Sequence, residues 1–179
     1  MTILRKFNHK NLVRMVDLKV DFDRNRTLIA MELCNGGTLQ EFVNERGRLS
    51  ESEARFVMRQ IVAGVLVLKG ENCMHRDLKL SNVMVHREID PSESGWLSQL
   101  NMDYCREFDF ERDWRKITFK VADFGFAKNL GAQILTKTCC GTPTTMPPEQ
   151  LEGKEYGHQA EVWSLGCMFY NLLTNQVPF

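Results

Sequence analysis

The chain has 179 residues, 43% hydrophobic and 26% charged, which allows one domain with a real core and matches a globular protein rather than a fibrous or disordered one. Its 23 Lys and Arg balance 23 Asp and Glu, so charge gives no reason to expect nucleic acid or an anionic membrane as the main partner. Six cysteines without a C-x-x-C pair and four dispersed histidines argue against a disulfide framework or a zinc site and for a reducing compartment, with the cytoplasm as the expectation. Met1-Thr2-Ile3 runs straight into a basic, polar segment, unlike a secretory leader. The longest apolar run, near Val162–Leu173, is too short and too polar to span a membrane.

In chain order, residues 2–7 read as a helix end with Ile3, Leu4 and Phe7 on one face. Val13–Val20 and Thr27–Leu33 read as two antiparallel strands joined by the charged turn Asp21–Arg26. Asn35-Gly36-Gly37 is a turn signal after the second strand. Thr38–Arg46 reads as a short helix stopped by Gly47. Ser50 and Glu53 form a capping box, followed by Val57, Ile61, Val65 and Leu68 at helical spacing. That helix leads to His75. Val83–Val85 and Ile117–Ala122 read as strands.

Between them, an insert at about 86–116 carries Pro91, Gly95, mixed charge and the aromatic residues Trp96, Tyr104, Phe108, Phe110 and Trp114. A surface loop of this length costs little closure entropy. Its aromatic content makes a docking element the sharper alternative. Cys139-Cys140 reads as two ordinary thiols, with a redox pair as the lesser reading.

The stretch His75-Arg76-Asp77-Leu78-Lys79-Leu80-Ser81-Asn82 carries the most information. Its five fixed letters in H-R-D-L-x-x-x-N would arise by chance at about one starting position in a few million. Asp123-Phe124-Gly125 follows 41 positions after Asn82. A hydroxyl attacking phosphorus needs a carboxylate to orient it and take its proton, which Asp77 can do. Phosphates that repel one another need metal ions, and Asn82 and Asp123 offer oxygen ligands. Together the two stretches resemble the catalytic loop and magnesium-binding motif of eukaryotic protein kinases. Lys79 resembles the Ser/Thr branch.

The resemblance implies an α+β kinase-like fold in partial form. Residues 1–33 would be a remnant of the β-rich small lobe, 34–37 the hinge, and 38–179 part of the mainly helical large lobe with the insert. It implies ATP and Mg2+ as cofactors and a protein substrate with a Ser or Thr acceptor. It implies Asp77 and Lys79 as the catalytic pair. Met31 would be the gatekeeper, the Glu32 and Cys34 backbones would hold adenine, and Met84 would pack beneath it. Thr142, in Gly141-Thr142-Pro143, would bond Asp77 and Lys79 in the peptide-substrate loop. Arg76 would receive a phosphate on the activation segment, with Thr138 preferred over Thr136 as its carrier. Leu4, Met15, His75 and Phe124 would stack above Glu161, which stands where the family has Asp as the anchor of the catalytic-loop backbone.

Glu32–Gly37, Asp123–Ala127 and Cys140–Pro143 are most similar to the autophagy-initiating kinases. No G-x-G-x-x-G and no clamp lysine precede residue 10. They, and the terminal helices, are expected outside this sequence, so the chain alone is expected to be inactive. The alternative is a non-catalytic binding protein with a kinase-like surface. The presence of Asp77, Lys79, Asn82 and Asp123 together favours the enzyme.

Overall fold

The computed structural model describes residues 6–88, 113–124, 127–130, 135–138 and 140–179. In chain order its elements are β1 (Met15–Asp21), β2 (Arg26–Met31), α1 (Leu39–Arg46), α2 (Glu51–Gly70), β3 (Cys73–Met74), β4 (Val83–Arg87), β5 (Ile117–Val121), β6 (Lys128–Asn129), α3 (Pro148–Leu151) and α4 (Gln159–Thr174). The strands form three antiparallel pairs, β1 with β2, β3 with β6 and β4 with β5. This is the expected α+β arrangement: a small β-rich part leads into a mainly helical body. Of the expected N-terminal helix end, residues 1–5 lie outside the described residues, as do 89–112 of the insert.

Both long helices before the catalytic stretch are capped by their own sequence. Thr38 accepts from Glu41 N while Glu41 reaches back to Thr38 N, and Ser50 and Glu53 repeat the exchange. Each box satisfies two backbone donors that a helix start leaves open. On α2 the buried positions Ala54, Val57, Ile61, Val65 and Leu68 form one stripe, which packs against β5 and α4. Phe42 and Phe56 meet Phe119 of β5 edge-on, with centroids 6.2 and 6.4 Å away. Phe42, Phe119 and Ile61 are fully buried in this core.

The β1–β2 ribbon is joined to the body by a short stitch. Leu12 bridges to Val121, Val13 N donates to Val121 O at 2.8 Å, and Val121 N donates to Asn11 O at 2.9 Å. Asn11 Nδ2 donates to Gln60 Oε1 and to Phe119 O, both at 2.9 Å. Gly64 of α2 lets this turn approach, since a Cβ there would lie 2.5 Å from Asn11 O. Backbone on both sides leaves little room to yield. Gly64→Ala should therefore destabilise the protein by about 1–3 kcal/mol despite alanine's better helix propensity. A urea midpoint that falls with unchanged slope would show it.

Candidate active site

Chain reversal after α2 sets up the catalytic stretch. Asn72 takes a left-handed φ of 51° and β3 pairs with β6, Met74 opposite Lys128. His75 follows, fully buried. Its Nε2 lies 2.7 Å from Ala122 O, and its Nδ1 accepts from Asp77 N at 3.3 Å. These partners fix the tautomer with the proton on Nε2, since a carbonyl needs a donor and an N–H needs an acceptor. Burial lowers the His75 pKa, which keeps the ring neutral. The ring packs on Phe124 at 5.4 Å, and Phe124 stacks on Phe7 at 6.4 Å. Met15 is buried at the start of β1, while Leu4 of the expected stack lies outside the described residues.

Glu161 of α4 supports this backbone from below. Its Oε1 accepts from His75 N at 2.5 Å, and the Arg76 N–H also donates to it. The extra methylene relative to Asp does not break the anchor. Burial raises the Glu161 pKa to about 7 against these two bonds. Arg76 itself is left-handed, with φ of 70°.

Asp77 is only 4% exposed and surrounded by donors. Thr142 Oγ1 donates to its Oδ1 at 2.6 Å, Lys79 Nζ lies 2.9 Å from its Oδ2, and Asn82 Nδ2 donates to Oδ2 at 3.0 Å and to the Asp77 carbonyl at 2.8 Å. Lys79 Nζ also donates to Thr142 Oγ1 at 2.7 Å. Burial alone would raise the Asp77 pKa, but the bonds from Thr142, Lys79 and Asn82 outweigh it and lower the net value. The group is therefore an ionised carboxylate.

Asn82 and Asp123 flank the same end of the β4–β5 pair. Val83 pairs with Val121, and Ala122 N donates to Asn82 O at 2.8 Å, so Asp123 follows directly at the same end. Asp123 is exposed and left-handed, with φ of 57°. One carboxylate and one amide oxygen are hard donors that suit Mg2+, an ion that keeps several waters and takes phosphate oxygens as further ligands. No cluster of three acidic, His or Cys ligands occurs among the described residues.

The segment expected to serve as the hinge is bound to the body. Gly36 N donates to Val85 O and Val85 N to Gly37 O, both at 2.9 Å, and Asn35 exchanges bonds of 3.0 and 2.8 Å with Arg87. Thr38 bridges to Met84. Cys34 is half-buried, and burial, helped by Glu32, raises its thiol pKa to about 11. Met31, the last residue of β2, is 54% exposed.

The two candidate phosphate carriers differ sharply. Thr136 is buried, its hydroxyl takes a bond from Lys128 Nζ at 2.9 Å, and its backbone exchanges two 2.9 Å bonds with Tyr156. Thr138 is exposed, and its carbonyl accepts from the Tyr156 hydroxyl. Tyr156 also bonds the Arg76 side chain. Beyond them, Gly141 at φ of 115° lies against the Arg76 carbonyl, where a Cβ would come within 2.5 Å of the oxygen. Only glycine combines that backbone conformation with that approach.

The whole chain, residues 1–179, matches the family described as protein kinase domain. The chain belongs to the protein kinase family. It is 32% identical over 177 residues to the serine/threonine-protein kinase ATG1b of Arabidopsis thaliana, covering 99% of this chain and 21% of that protein. It is 31% identical over 181 residues to human serine/threonine-protein kinase ULK1, covering 99% of this chain and 15% of that protein. At 32% it is equally similar to the probable serine/threonine-protein kinase MARK-B of Dictyostelium discoideum. The chain thus spans about a fifth of the length of these relatives or less. The expected resemblance to autophagy-initiating kinases is met by the first two.

Three residues of this kinase site escaped the reading of the sequence. Phe7 stacks on Phe124, Lys128 binds Thr136, and Lys120 binds Glu32 at 2.9 Å. Lys120 was the one that left a trace. It is a lysine inside the apolar run Ile117-Thr118-Phe119-Lys120-Val121, which calls for a buried anionic partner.

Proposed function

We propose that this chain carries the phosphoryl-transfer centre of a protein kinase that moves the ATP γ-phosphate to Ser or Thr of a protein substrate. The supporting observation is the closed triangle of Asp77, Lys79 and Thr142, with separations of 2.6, 2.7 and 2.9 Å. Asp77 is an ionised acceptor at the position a substrate hydroxyl must approach, so it orients that hydroxyl and takes its proton. Lys79 holds positive charge beside it, matching the charge on a transferring phosphoryl group. Thr142 ties the peptide-binding segment to both, so substrate docking and catalysis share one geometry. Asn82 and Asp123 would hold Mg2+, which when bound neutralises phosphate charge. Glu32 and Cys34 offer backbone groups to adenine above Met84.

The exposed Thr138 is the proposed activating phosphate carrier, because its hydroxyl can reach an activating enzyme while that of Thr136 is enclosed. A phosphate there would add about −1.5 to −2 charges within a segment that Tyr156 links to Arg76. We place the enzyme in the cytoplasm on the thiol chemistry of the sequence; no described helix is long and apolar enough to cross a membrane.

The test uses the chain extended by the Gly-rich loop and lysine that this reading requires, incubated with Mg-ATP and pools of Ser, Thr and Tyr peptides. Label should enter the Ser and Thr pools and Thr138 itself, and the 179 residues alone should turn over little. Absence of transfer from the extended chain, with all four polar residues intact, would reject the enzyme in favour of a binding protein.

A further inference from the structure

Lys120 is 9% exposed in the middle of β5, and a buried ammonium persists only with a strong partner. That partner is Glu32, which leads from β2 into the hinge: Lys120 Nζ lies 2.9 Å from Glu32 Oε2. The other oxygen, Oε1, accepts from Arg14 N at 2.7 Å, and Glu32 N donates to Arg14 O at 3.0 Å. Burial works against the charge on Glu32, but the bonds from Arg14 and Lys120 prevail and lower its pKa. Glu32 is thus ionised where it meets Lys120.

The location of this pair matters more than its strength. Lys120 stands directly opposite Met84 in the β4–β5 ladder, and opposite residues of an antiparallel pair project from the same face. The floor strand therefore sends up one apolar side chain, Met84, and next to it one cation that grips the hinge. At the far end of the hinge, Asn35, Gly36 and Gly37 are bonded to β4. The near end has Lys120 as its link to the same hairpin. Between the two ends lie the backbone groups of Glu32 and Cys34.

We infer that Lys120 is a positioning residue for the adenine nucleotide, its ion pair with Glu32 setting the spacing between the hinge backbone and the Met84 floor. This rests on the proposed reading of the hinge as the adenine site. A flat base must fill that gap while meeting backbone partners at its edge, so a hinge free to lift loses both contacts together.

Lys120→Met keeps the aliphatic stem and removes the charge. Glu32→Gln removes it from the other end, and Lys120→Arg restores it. Hydrogen exchange is followed by mass spectrometry at amides 32–35, with α2 amides as an internal control, and ATP binding to the chain extended by the Gly-rich loop and lysine is followed by calorimetry. Lys120→Met and Glu32→Gln should each speed hinge exchange about tenfold or more, the scale of one lost charge-assisted bond, with α2 unchanged. ATP affinity should fall by a similar factor, and Lys120→Arg should recover most of both. Hinge exchange that is unchanged, or that rises only in step with α2, overturns the positioning role whether or not ATP binds. Faster hinge exchange with unaltered ATP affinity overturns it too. A wild-type chain that binds no ATP, with the hinge response present, overturns the nucleotide reading of the hinge and leaves Lys120 as its anchor.

Discussion

Asp77→Asn, in the extended chain of the proposed enzyme, is expected to lower turnover by about 10²–10⁴, the range for losing a general base. The substitution changes shape little, so its effect should be chemical. Thr142 donates to Oδ1, and an amide oxygen can still accept that bond. Lys79 and Asn82 both direct N–H groups at Oδ2, where asparagine would place a donor of its own. The site would then hold two donors against a third, and no atom able to take a proton. The depressed Asp77 pKa adds a pH signature. A carboxylate with a lowered folded pKa contributes stability that is present above its unfolded value and lost as pH falls through the folded one. Activity in the wild type should therefore persist into acid below the ordinary carboxylate range, until other groups fail. Single-turnover rates measured with saturating Mg-ATP would separate this from altered binding. A wild-type rate for Asp77→Asn would remove Asp77 from the chemistry.

Glu161 should make the protein less stable as pH rises from about 4.5 to 7. Its folded pKa is about 7 against an ordinary value of 4.5. In that interval the folded state keeps a proton that the unfolded state has released, so each step upward in pH favours unfolding. The span corresponds to about 3 kcal/mol. His158 Nδ1 lies 3.6 Å from Glu161 Oε2, a separation that would suit an ion pair. Burial nevertheless lowers the His158 pKa while raising that of Glu161. Burial drives both groups toward their neutral forms, Glu161 being only 4% exposed. Glu161→Gln keeps an acceptor for the His75 N–H and should flatten the slope between pH 4.5 and 7 relative to wild type. Glu161→Ala strands two backbone donors and should destabilise at every pH by about 1–3 kcal/mol for each buried donor left unpaired. Urea titrations of the three proteins across that range would show both effects. Equal slopes in wild type and Glu161→Gln would assign the pH dependence elsewhere.

The local signals in the sequence carried much of the fold. The capping box at Ser50, the stripe on α2 and the short apolar runs of β4 and β5 all act within a few residues, so pattern alone places them. The outer strand ends moved inward, from Val13 to Met15 and from Leu33 to Met31, while the ends at the turn each extended by one residue to Asp21 and Arg26, because backbone pairing rather than apolar content sets where a strand stops. For the site, the motif stretches located Asp77, Asn82 and Asp123, since one loop and one hairpin bring them together. What stayed hidden was set by long-range packing. No local pattern tells that Phe7 will meet Phe124, that Lys128 will enclose Thr136, or that Thr138 rather than its neighbour faces outward. Each depends on how segments far apart in sequence settle against one another.

The bond from His75 N to Glu161 spans 86 positions, and it has a consequence for birth on the ribosome. At about 5–20 residues per second, the catalytic backbone emerges some 4–17 s before the carboxylate that will hold it. A nascent chain can thus complete α1, α2 and the β4–β5 hairpin while the stretch around Asp77 is still without its floor. Vectorial synthesis delays assembly of the His75–Asn82 loop until α4 is made, so the candidate site is finished after the scaffold that will carry it.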